Sequence, residues 1–87
     1  MRIVCVWKEQ SDYARTVRDF LRAFEHQTGS EIESLDPDTR AGATFAQAHD
    51  VVEYPTIMVV DDRSAVVEQW RGLPLPMVSQ VSYYLSV

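Results

Sequence analysis

Few residues in this chain are of a type that does chemistry, and they lie apart. The one cysteine, Cys5, sits inside the apolar run Ile3-Val4-Cys5-Val6-Trp7. A single cysteine cannot close an internal disulfide. Flanked by Val4 and Val6, it reads as a buried, inert thiol, and about 20 Å of extended chain separates it from Ser11 by strand rise. No cysteine or histidine pair has zinc-site spacing. The acids Glu9, Asp12, Glu53, Asp61 and Asp62 are scattered, as expected of turns and caps rather than of a metal cluster. That leaves Ser11, between the apolar run and a periodic segment. A serine nucleophile needs a base within hydrogen-bond reach, yet His26 and His49 fall near the ends of the two expected helices, toward the far pole. Ser11 therefore reads as an N-cap, with Asp12 in the first helical turn where the dipole favours an acid. No catalytic residue, metal or cofactor is expected.

The elements that position these residues follow from periodicity. Ile3 to Trp7 is apolar on both pleat faces, which suits a central strand. Tyr13, Val17, Phe20, Leu21 and Phe24 recur at helical spacing, with Arg15, Arg18 and Arg22 on the solvated side and Gly29 as the stop. Glu31 to Leu35 alternates weakly and reads as an edge strand, broken by Asp36-Pro37-Asp38. A second helix is expected over about Thr39 to His49, with a small apolar face of Ala41, Phe45 and Ala48, weakened by Gly42. Tyr54 to Val60 reads as a second strand buried on both faces. Asp61 to Ser64 turns the chain, and Ala65 to Trp70 returns as a hairpin partner. Gly72, Pro74 and Pro76 lead to a last helix burying Met77, Val78, Val81, Tyr84 and Leu85. The order is β-α-β-α-β-β-α, an α/β fold with a four-stranded mixed sheet and helices on both faces. The right-handed crossover makes the first two strands parallel. Pro55 is tolerated at a strand start and is a candidate cis residue.

Composition narrows the function classes. With 87 residues the chain suits one domain, 1-87, and 46% hydrophobic content is too high for disorder. A net charge of −5 argues against nucleic-acid binding through a basic surface. No run of about 18 apolar residues is present to span a membrane, and no signal peptide is visible. A cytoplasmic domain without nucleic-acid or membrane partners is the expectation.

The order of elements, with Tyr54-Pro55-Thr56 opening an apolar strand, resembles the thioredoxin-like superfamily. There a small loop, an apolar residue, a cis-proline and a threonine begin the corresponding strand. Asp62 and Gly72 match the hairpin turn and the glycine after the last strand. The resemblance covers essentially the whole chain. It places Ser11-Asp12-Tyr13-Ala14 where glutaredoxins and thioredoxins carry Cys-x-x-Cys, and Tyr13 and Arg15 are similar to a glutaredoxin's Cys-Pro-Tyr-Cys followed by a basic residue. Both cysteine positions are changed, to Ser11 and Ala14. A helix N-terminus lowers a thiol's pKa, but a serine hydroxyl there stays protonated and alanine has nothing to resolve with. The resemblance thus implies a domain without thiol–disulfide exchange.

What remains is a surface. In this superfamily the backbone beside the cis-proline accepts an extended peptide or glutathione as an added strand. The leading expectation is a protein or peptide partner bound at Ser11, Asp12, Tyr13, Ala14, Tyr54, Pro55 and Thr56. Glutathione binding with non-thiol chemistry is the alternative, and a dimer built on the edge strand is a third. Trp7, Tyr13 and Tyr54 form either an aromatic recognition patch or part of the core, while Trp70 is expected under a helix.

Overall fold

The computed structural model describes residues 1–86. Its regular elements are β1 (Arg2–Val6), α1 (Ala14–Thr28), β2 (Glu33–Leu35), α2 (Arg40–Ala48), β3 (Thr56–Val60), β4 (Val66–Arg71) and α3 (Val78–Ser82), followed by a 3-10 turn at Tyr83–Leu85. The strands lie in the order β2-β1-β3-β4. β1 and β2 are parallel, and β1–β3 and β3–β4 are antiparallel. This is the mixed sheet that the β-α-β order requires.

Alternation along the two central strands divides the core between the two faces. Ile3, Cys5 and Trp7 of the first run, with Ile57 and Val59 of β3, face α1 and α3 and pack against Val17, Phe24 and Val81. Val4, Val6, Met58 and Val60 face the other way and pack against Phe45, Ala46 and Val51. Because helices cover both faces, every residue of β3 is buried. Fully burying a Val, Ile or Phe side chain is worth about 1.5–3 kcal/mol, so most of the stability comes from these two layers.

Several local expectations need correction. Ser11 is not the cap of α1. The cap is Tyr13, which makes no side-chain capping bond, and Asp12 precedes the helix rather than entering its first turn. In α2 the inward face is Gly42, Phe45 and Ala46, while Ala41 and Ala48 are exposed. Helical spacing alone could not tell these neighbouring stripes apart. Thr39 caps this helix by accepting from Gly42 N at 3.1 Å. Gly42 also has a packing reason: a Cβ there would lie 1.9 Å from the Asp36 carbonyl oxygen. In the last helix Val81 is buried, but Met77 and Leu85 are exposed, because α3 is one short turn and Met77 is its cap. β2 is three residues rather than five. Trp70 packs beneath the C-terminal turn, edge-on to Tyr84 at 6.1 Å.

Candidate functional site

The corner between β1 and α1 is tied together through Lys8. The Lys8 amide donates to the Tyr13 phenol oxygen at 2.9 Å, and Ser11 Oγ donates to the Lys8 carbonyl at 2.6 Å. The Ala14 amide then donates to the Ser11 carbonyl at 3.3 Å, which closes the turn that launches α1. Ser11 thus shapes the loop by back-bonding. Its proton is committed to a carbonyl, and among the described residues no base is hydrogen-bonded to it. His26 lies in the last turn of a 15-residue helix, roughly 18 Å from Ala14 by helical rise. His49 caps the C-terminus of α2 and stacks on Phe45 at 4.2 Å.

The second half of the corner comes from the segment before β3. Val6 pairs with Thr56, which brings the end of β1 against the start of β3. The Tyr54–Pro55 peptide bond is cis, as is Leu73–Pro74. Thr56 Oγ1 donates to the Glu53 carbonyl at 2.6 Å, and the Gly72 amide donates to the Pro55 carbonyl at 2.7 Å. Gly72 has φ 72°, and a Cβ there would meet Glu53 Oε2 at 2.4 Å. The glycine is therefore favoured by its left-handed backbone conformation, whereas the Glu53 carboxylate, the end of an exposed flexible side chain, can move aside. Among the described residues, no hydrogen bond engages the backbone N–H or C=O of Tyr54.

Lys8 also joins the two halves. Its Nζ lies 5.7 Å from the centroid of the Tyr54 ring, within cation–π range, and 3.8 Å from Asp38 Oδ1. Tyr13, Lys8 and Tyr54 are thereby neighbours. Ser11, Tyr13 and Tyr54 are half-buried, Asp12 is exposed, and Ala14, Pro55 and Thr56 are buried. The reachable surface is thus narrower than the seven residues picked from sequence. Lys8 belongs with it, although nothing in its residue type pointed there. Trp7 does not join: it is 3% exposed, its indole N–H donates to Ser34 Oγ, and Arg18 lies over its ring at 5.5 Å.

The one thiol is elsewhere and protected. Cys5 is fully buried in β1, and burial pushes its pKa up to about 12. A thiolate is the reactive form, so near neutral pH this sulfur is neutral as well as shielded. Among the described residues no group of three or more His, Cys, Asp or Glu side chains is placed to hold a metal ion, and no helix is long and apolar enough to cross a membrane.

Comparison with solved structures places this arrangement. Thioredoxin 1 from the thermophilic eubacterium Thermosipho africanus TCF52B superposes with a TM-score of 0.71 over 99% of this chain and 96% of that chain, at 12% sequence identity. The fold is thioredoxin-like. At that identity the likeness carries the architecture alone. No protein-family model and no curated protein sequence matches the chain.

Proposed function

We propose that this thioredoxin-like domain performs no thiol–disulfide exchange and binds a protein or peptide at the corner formed by Lys8 to Ala14 and Tyr54 to Thr56. The observation that carries the reading is the Tyr54 peptide group. Among the described residues it has no hydrogen-bond partner, and it stands just ahead of β3, so an extended chain can add to it as a strand. The half-buried Tyr13 and Tyr54 rings flank that position, and tyrosines are favoured anchors in binding patches. The redox half of the proposal rests on Ser11 and Ala14 at the former cysteine positions and on the burial of Cys5.

Two measurements test it. Amide chemical-shift mapping with a library of extended peptides is expected to move Tyr13, Tyr54 and Thr56, and Tyr54→Ala to weaken binding at least tenfold. Silence at all three amides would remove the site. Glutathione at millimolar concentration is the second arm: shifts there without any from peptides would favour a small-thiol ligand. The protein should not reduce insulin disulfides, and activity abolished by Cys5→Ser would refute the redox half.

A further inference from the structure

The opposite edge of the sheet carries a second surface, independent of the corner. β2 is an edge strand paired only with β1. Leu35 turns its carbonyl inward to accept from the Trp7 amide at 3.0 Å. By strand alternation Glu33 also faces β1, and the peptide groups of Ile32 and Ser34 point to the open side. Among the described residues nothing is hydrogen-bonded to them.

Grooves flank this edge on both faces of the sheet. On the α1 side a groove of about 350 Å³ has Leu21 and Ile32 in its lining, with Arg18, Arg22 and Ser34. Glu25 and Glu31 also line it. Because α1 runs antiparallel to β2, these two carboxylates lie toward one end and Arg18 and Ser34 toward the other. On the α2 side a groove of about 450 Å³ is lined by Leu35, Ala41, Thr44, Phe45 and Ala48, and the Arg2–Glu33 pair and His49 border it. Among the described residues neither Arg18 nor Arg22 is in an ion pair, although the chain has 13 acidic side chains against 8 Lys and Arg.

We infer that β2 is a strand-addition edge for an extended segment in which acidic residues alternate with small apolar ones. A strand laid along β2 sends successive side chains to opposite faces. One set would enter the groove beside Arg18 and Arg22, and the other would enter the apolar groove against Ala41, Phe45 and Ala48. The spacing agrees: side chains two apart on a strand are about 6.6 Å apart, and Arg18 and Arg22 are about 6 Å apart along α1. Two carboxylates in consecutive positions of that set can therefore each meet a guanidinium. Glu25 and Glu31 disfavour a further acid at the far end and so fix the register. The open peptide groups of Ile32 and Ser34 supply the ladder, and the two grooves supply the choice of sequence.

The test uses the full chain and the probe acetyl-Val-Glu-Val-Glu-Val-amide. The expected result is movement of the Ile32 and Ser34 amides, with affinity falling at least tenfold for the same peptide carrying Lys in place of Glu. The double variant Arg18→Glu/Arg22→Glu should lose binding by a similar factor, whereas Arg18→Lys/Arg22→Lys should retain most of it. Ala41→Arg should weaken binding by blocking the other groove. The inference is overturned if the Lys peptide binds equally, or if Ile32 and Ser34 stay unmoved. It is also overturned if sedimentation shows the free chain dimerising through β2, which would make a second copy the occupant. Shifts confined to Tyr54 and Thr56 would sink this edge and leave the reading of the corner intact.

Discussion

Two regions of this molecule meet at the same strands and are held by different forces. The centre, where Phe24 and Val17 press on Ile57 and Cys5, is held by burial on both faces of the sheet. The corner, only a few residues further along β1 and just ahead of β3, rests Tyr13 and Ala14 on one core layer and Tyr54 on the other, and its loops are shaped by single hydrogen bonds at Lys8 and Pro55. The centre therefore sets whether the chain folds. The corner sets how its loops are presented, and its exposed or half-buried side chains, Lys8, Ser11 and Asp12, can change chemistry at small cost to the fold. That division lets the junction carry Ser11 and Ala14, without sulfur, while the scaffold stays thioredoxin-like.

The largest break of this comparison is at the centre. Phe24 is fully buried, and Phe24→Ala should destabilise the chain by about 3–5 kcal/mol, read as a fall in the urea midpoint. Where the variant is still folded, the backbone at Tyr13 and Tyr54 should keep its amide shifts. Shifts spreading to the corner would show that the two regions are one cooperative unit.

The next effect is a pH dependence rooted in the same layer. The folded-state pKa of Cys5 is raised from an ordinary value of 9.0 to about 12. A raised folded pKa contributes stability that is fully present below the unfolded value and is lost as pH rises toward the folded one. Between pH 9 and 12 the unfolded chain releases the thiol proton and the folded chain keeps it. Stability should therefore fall with a slope approaching ~1.4 kcal/mol per pH unit from this group. Cys5→Ala should flatten that part of the profile, measured by denaturant unfolding across the alkaline range. An unchanged slope would mean that the thiol is solvated in the folded state.

How much of this was legible in the sequence follows the same division. The central strands were readable because continuous apolar runs such as Ile57-Met58-Val59-Val60 have few other uses, and the order of elements then left one parallel and two antiparallel pairings. The corner was located by Tyr54-Pro55-Thr56, but its internal wiring was not readable. Ser11 looked like a cap because a serine before a helix usually is one. The geometry instead turns its hydroxyl back to Lys8, and Tyr13 takes the cap position. Gly42 looked like a weakness because propensity counts only the helix, whereas the close approach of Asp36 arises from a loop. Lys8 was missed because its part is played mainly by its backbone, which no residue type reveals.

At the corner the expected effects are smaller. Tyr13→Phe removes the acceptor of the Lys8 amide at a half-buried position, worth about 0.5–1.5 kcal/mol. Its more telling consequence is local: the Lys8 and Ala14 amides should exchange faster with solvent while those of β3 do not. If β3 loses protection as well, the corner is part of the centre rather than a loop resting on it.

The smallest effect lies at the far edge and sharpens the comparison from outside both regions. Arg2 Nε and Nη2 donate to Glu33 Oε1 and Oε2 at 2.8 and 2.7 Å, joining the start of β1 to β2. The hydrogen bonds from Arg2, with a smaller charge contribution, hold the Glu33 pKa below the ordinary carboxylate value. A lowered folded pKa gives stability that is present above the unfolded pKa and lost as pH falls through the folded one, so the pair should weaken only below about pH 4.5. Both side chains are about half exposed, so solvent screening limits the pair to roughly 0–1 kcal/mol. Glu33→Gln should thus shift the neutral-pH urea midpoint barely, remove a small acid-range slope, and weaken one side-chain tie of the β2 edge to β1 while leaving the backbone ladder. Hydrogen exchange at the Leu35 amide, which faces β1, reads that last change: it should speed up, whereas the open Ser34 amide should already exchange quickly in the unaltered chain.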